Sequence, residues 1–184
     1  MLKVKKLLEA GRDEALHGMS MSHGLHVKLI DEEERTRRKE NRAEQLALMQ
    51  GGHNKFLEHI MIWLEVTAPR YWWQQADTYR IASKQSESTM HTILHRHLTP
   101  EDFIDPPPDT WIADLNKLID EKNLDRVKRW LPEGFLQTRE WLMSYKTFQN
   151  IWNQRKKHKL AEWQDFLEKV LGQLEHPEYV TGEE

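Results

Sequence analysis

The sequence has no cysteine. Disulfides, thiolate metal sites and a cysteine nucleophile are therefore excluded, and cytoplasmic residence is the expectation. No apolar run approaches the ~20 residues that span a bilayer. The opening MLKVKKLLEAG is basic and apolar but lacks the long apolar core of a secretion signal. Neither a glycine-rich phosphate loop nor a nucleophile elbow is present. An excess of one charge is missing too. Lys and Arg number 27 and Asp and Glu 30, a formal −3, so no global field attracts nucleic acid.

The 184 residues fit one domain with a real core. Apolar residues make up 38% and charged residues 31%, which suits a small domain with much surface or a subunit of an oligomer. The eight tryptophans are expected in the core. Leu2 to Leu7 reads as a first strand and Gly11 to His17 as a short helix, with His17 to Gly24 a loop or strand end. Asp31 caps a helix running to about Gln50 and closed by Gly51 and Gly52. Its charged first half reads as a solvated face with pairs such as Glu33/Arg37 and Glu34/Arg38.

From His59 to Thr67 the residues alternate, with Ile60, Ile62, Leu64 and Val66 on one face. That is a strand with one face on a core and the other partly polar or near a ligand. Pro69 ends it and suits a helix start. Tyr71, Trp72, Gln75, Tyr79 and Ser83 are then expected on one helical face, with KQSEST a loop. Pro106 to Pro108 form a stiff connector, and Asp109 and Asn123 begin two helices. Phe135 to Met143 reads equally as strand or helix. Ser144 caps a helix through Arg155, a last helix spans Ala161 to Leu174, and the tail from His176 is expected to fray.

Isolated motifs carry little chemistry. His91 and His95 would share a helical face, with His97 nearby, but no carboxylate completes a metal set, and no metal is expected. Arg155 to Lys159, RKKHK, lies between Trp152 and Trp163, yet the run is short and the chain acidic, so nucleic acid is not the expected partner.

Read together, the segments from Gly52 to His91 resemble the flavin-dependent thymidylate synthases. That family carries a Gly-His turn, a Glu-His pair at a strand start, and the signature RHRxxSxNExSxRY. Gly52, His53, Glu58 and His59 match the turn and pair, and Gln75 the glutamine preceding the signature. Arg80, Ser83 and Ser88 match the signature itself. Thr78, Tyr79, Gln85, Ser86, Met90 and His91 depart from it, with the glutamate displaced to Glu87. Downstream, Lys128 before Leu131-Pro132, Asn150, Arg155 and Ala161-Glu162-Trp163 resemble further family elements, and Ser144 and Lys146 stand where the family has Asn and Arg. The segment QRKKHKLAEW is similar to members carried by bacteriophages.

The resemblance implies an α+β fold, an antiparallel or mixed sheet flanked by helices, and makes Phe135 to Met143 a strand. It implies reductive methylation of dUMP or a related pyrimidine nucleotide. FAD would be the cofactor, with NADPH and methylenetetrahydrofolate as co-substrates. Arg155 would be catalytic. His53, Glu58, Arg80, Lys146 and Asn150 would bind the cofactor, and Gln75, Glu87, Ser88 and Lys128 the substrate. The sites would form between subunits of a homotetramer in the cytoplasm, that of a host if phage-encoded, with no membrane partner. A non-catalytic homologue that keeps the fold for binding or assembly is the alternative.

Overall fold

The computed structural model describes residues 2–22, 24, 31–49 and 51–182. His23, Gln50, Glu183 and Glu184, which fall in segments interpreted above, lie outside the described residues. Strand β1 (Lys3–Ala10) leads into helices α1 (Arg12–Ser22) and α2 (Glu32–Ala47). A 3₁₀ turn, Lys55–Glu58, precedes β2 (Met61–Pro69), α3 (Arg70–Ala76), β3 (Ala82–Ser86) and α4 (Thr89–Thr92). Helices α5 (Asp109–Asp120) and α6 (Leu124–Trp130) follow, then β4 (Leu136–Ser144). Three helices close the chain: α7 (Tyr145–Arg155), α8 (Ala161–Leu171) and α9 (Glu178–Thr181).

The described strands form one antiparallel sheet in the order β1-β2-β4-β3, so the fold is α+β as expected. The alternation in β2 works as its sequence implies. Ile62, Leu64, Val66 and Ala68 are fully buried, while Met61 and Trp63 on the other face are only half-buried. Register sets Leu64 opposite Trp141 and Ile62 opposite Met143, so β4 extends the buried face. On it lie the rings of Trp72, Trp73, Trp141, Trp163 and Phe166, with Trp72 and Trp163 centred 4.6 Å apart. Each such side chain removes 150–250 Å² from water. A second apolar cluster joins Ile93, Leu98 and Phe103 to α5, α6 and Phe135.

Several expectations are corrected. Trp111 and Trp130 are exposed rather than core. The segment from His17 to Ser22 continues α1, because Met19 and Ser20 find buried positions. Helix α3 stops at Ala76, and Thr78 caps it by donating to the Gln75 carbonyl at 2.7 Å, so Tyr79 and Ser83 leave the helix. Most of KQSEST is strand: residues 82–86 pair with β4, and Lys84 lies 4.8 Å above the Trp141 ring. In α2, Asp31 caps by accepting from the Glu34 amide, and Glu34 takes both Arg37 and Arg38, so the Glu33/Arg37 pairing gives way to a fork on Glu34. His91 and His95 do not share a helical face, since α4 ends at Thr92. The tail folds back as α9, because Tyr179 and Val180 are buried against α2 and α7.

Candidate functional site

Arg155 is the last residue of α7, a helix whose start is fixed by Ser144 accepting from the Thr147 amide at 3.2 Å. Its guanidinium reaches back to the end of α3. Nε donates to the Tyr79 hydroxyl at 2.8 Å and Nη1 to the Gln75 side-chain oxygen at 3.4 Å. The same Gln75 oxygen accepts from the Trp163 indole at 2.9 Å. The cation lies 4.7 Å from the Trp163 ring and 5.6 Å from the Tyr79 ring. A guanidinium has five N–H donors, and its Nη2 has no protein acceptor among the described residues. Helix α8, which carries Trp163, begins where His158 Nδ1 accepts from the Leu160 amide at 3.1 Å. Burial, then Arg155 and Lys159, hold the His158 imidazole below its ordinary value.

His53 and Glu58 lie elsewhere, on a cleft of about 530 Å³ between α1 and the 3₁₀ turn. Met19, Met21 and Phe56 form its apolar wall, and His53, Lys55, Glu58 and His59 are exposed at its rim. Lys146 stands behind it, donating at 2.7 Å to Asn54, the neighbour of His53. A third group surrounds α4. Lys128 Nζ donates to the Thr89 hydroxyl next to Ser88. Burial, and then repulsion from Arg70, lower the Lys128 amine below the usual lysine range, and no carboxylate pairs with it among the described residues. The Ser88 carbonyl accepts from the His91 and Thr92 amides, which starts α4. Glu87 is exposed, and its amide donates to Thr138 on β4.

The structure thus brings Gln75 to Arg155, Lys128 to Thr89 next to Ser88, and His53 to Glu58 with Lys146 behind them. Arg80 and Asn150 are exposed and join none of these groups through a hydrogen bond among the described residues. Sequence reasoning missed a fourth group. Arg139 on β4 takes both Asp77 carboxylate oxygens at 3.1 Å and lies 4.5 Å from the Trp73 ring. Lys84 adds a second cation 3.6 Å from Asp77. Burial pulls the Lys84 amine down, Asp77 opposes this, and Arg139 adds to it. Its only sequence signal was the alternation of Ala82, Lys84 and Ser86, hidden by their polarity.

The sequence matches the family model described as thymidylate synthase complementing protein, Thy1, over residues 11–177. The chain belongs to this family. No curated protein matches it. Among solved structures, it is similar to thymidylate synthase X from Helicobacter pylori with FAD and dUMP, at 18% identity and a TM-score of 0.79, covering 99% of this chain and 98% of that one. A second structure, the flavin-dependent thymidylate synthase from the same organism complexed with FAD and dUMP, gives 18% identity and a TM-score of 0.80, covering 98% of each chain. At that identity the likeness establishes the fold: the Thy1 architecture runs essentially the whole length of the chain. Among the described residues, no helix is long and apolar enough to cross a membrane.

Proposed function

We propose that this Thy1 member is a flavin-dependent thymidylate synthase that methylates dUMP. The observation that carries the reading is the meeting of Gln75 and Arg155. The resemblance assigned both to the nucleotide site from separate motifs, and their side chains lie 3.4 Å apart. Arg155 would offer its Nη2 edge, which meets no acceptor among the described residues, to the nucleotide as a charge-assisted donor. Lys128, a half-buried cation with no carboxylate partner among the described residues, would take negative charge beside Ser88 and Glu87. That matters because Thr78 and Met90, where the family signature has arginines, are both exposed and uncharged.

The cleft by His53 and Glu58 suits the cofactor. Its volume falls in the range of small-molecule sites, and an apolar wall faced by polar rim groups fits a flavin ring and its edge. FAD, when bound, would supply hydride chemistry with NADPH as reductant and methylenetetrahydrofolate as carbon donor. His53 and Glu58 would orient it, Lys146 would hold Asn54 and the turn behind it, and Arg80 and Asn150, exposed in one chain, would reach it from another subunit. The half-exposed Met61, Trp63 and Leu142 and the exposed Leu8 on the outer sheet face support a homo-oligomer, a tetramer by family resemblance. Placement in a bacteriophage branch, and so in a host cytoplasm, rests on the segment Gln154 to Trp163 alone. A non-catalytic binding protein is the second reading, favoured by the uncharged Thr78 and Met90.

Rescue of a thymidine-requiring host tests the reading, with Arg155→Ala and Ser88→Ala as controls. Growth with the natural chain and none with Arg155→Ala is the expected result. A purified protein that is colourless, takes up no FAD and gives no heat with dUMP would sink it.

A further inference from the structure

We infer that Tyr79 is the positioning residue of Arg155. The inference rests on the nucleotide reading above and deepens it. The signature has a histidine where this chain has Tyr79, so the substitution first looks like a loss. The geometry points the other way. The Tyr79 hydroxyl accepts from Arg155 Nε at 2.8 Å and donates to Gln154 at 3.2 Å, using both its capacities. Its ring lies 5.6 Å from the guanidinium and edge-on to Trp163, 6.0 Å away. Gln75 fixes Nη1 and is itself fixed by Trp163. A planar fork held at Nε and Nη1 can present Nη2 in one direction only. A long arginine at a helix C-terminus would otherwise sample many rotamers, and ordering it on binding would cost affinity. Tyr79 orders it beforehand.

The test uses the full chain with FAD added, and reads dUMP affinity by calorimetry, FAD retention by absorbance, and the Arg155 Nε–H resonance by NMR. Tyr79→Phe keeps the ring and removes the acceptor. It is expected to weaken dUMP binding roughly tenfold, of the order of one hydrogen bond to a charged group, with FAD retention and thermal midpoint unchanged. Its Nε–H signal, protected from exchange in the natural chain, should broaden. Tyr79→His, which restores a ring-nitrogen acceptor, should recover most of the affinity. If the natural chain binds dUMP and Tyr79→Phe binds it equally well, Tyr79 does not position Arg155, and the function stands without it. If the natural chain does not bind dUMP at all, the nucleotide reading falls and this inference falls with it. An Nε–H exchanging equally fast in both proteins overturns the inference whatever the affinity.

Discussion

Asn54 and Gln149 donate to the same main-chain oxygen, that of Ala47, each at 2.9 Å. They also bond each other at 3.0 Å, and Gln149 donates at 2.9 Å to the carbonyl of Tyr179. One buried amide pair therefore ties the end of α2, the turn before the candidate cofactor cleft, α7 and α9. Buried polar groups left without partners are costly, so such a network works only when complete.

Gln149→Leu keeps the approximate volume and removes both amide donors. The Tyr179 carbonyl and the Asn54 amide then lose a partner each. The expected loss is about 1–3 kcal/mol, read as a lower urea midpoint with unchanged slope. Because α9 hangs on this bond, its amides should also exchange faster in the variant. A midpoint within error of the natural chain would mean that water replaces the network.

Gly11 turns the corner from β1 into α1 with φ of 91°, and a Cβ there would sit 2.3 Å from the His59 carbonyl oxygen. Both effects oppose any side chain. Gly11→Ala is expected to cost about 2 kcal/mol or more. Gly18, inside α1, has no atom within 4 Å of an added Cβ. Gly18→Ala should instead stabilise by about 0.5–1 kcal/mol. Thermal unfolding of the two variants side by side checks the pair, and equal midpoints would refute the contrast.

The legible parts of the fold were those with a strong period or an unambiguous cap. Residues Ile60 to Val66 announced β2 by alternation, and Asp31, Asn123 and Ser144 each cap the helix they were expected to start. The strand at β4 was ambiguous on period alone and was decided by family resemblance. Strand β3 was hidden because an edge strand draws its stability from the ladder with β4 and needs no apolar alternation of its own. The tail was misread because two buried residues, Tyr179 and Val180, give no period. Gln75 and Arg155 were each singled out by family resemblance, but their contact at 3.4 Å is seen only in the fold, and so is its third member. Tyr79 counted as a departure from the signature, and only the fold shows that its hydroxyl meets Arg155.

His158 gives the acid side of stability a specific source. Its Nδ1 accepts from the Leu160 amide only while that nitrogen is unprotonated. Burial and the nearby Arg155 and Lys159 depress its pKa in the folded chain relative to the ordinary 6.5. The unfolded chain therefore binds the proton more readily. The contribution is fully present above pH 6.5 and is lost as pH falls through the depressed folded value. Below that window the cap on α8 opens, and Trp163 beneath it loosens. The thermal midpoint and tryptophan fluorescence should both fall with acidification below pH 6.5. His158→Asn offers an oxygen acceptor that does not titrate, so its acid slope should be shallower. Identical slopes would assign the acid effect to other groups.

Lys128 sets the alkaline side of nucleotide binding. Burial first, and Arg70 second, lower its pKa from the ordinary 10.5, so it loses its charge at a lower pH than a surface lysine. An anion bound beside it favours the protonated form, and linkage then requires dUMP affinity to fall as pH rises through the depressed value in the free protein. The fall should begin below pH 10.5. Lys128→Arg keeps the charge throughout that range, since a guanidinium does not titrate there, and should make the alkaline fall shallower, leaving the part that comes from ionisation of the uracil N–H of dUMP, even if its larger head binds less tightly at neutral pH. Lys128→Met should weaken dUMP binding at neutral pH by roughly tenfold, the scale of one charge-assisted contact, and should also flatten the profile. The decisive measurement is a calorimetric titration of dUMP across pH 7 to 10 for all three proteins. An alkaline fall as steep in both variants as in the natural chain would place the titrating group elsewhere and remove Lys128 from the site.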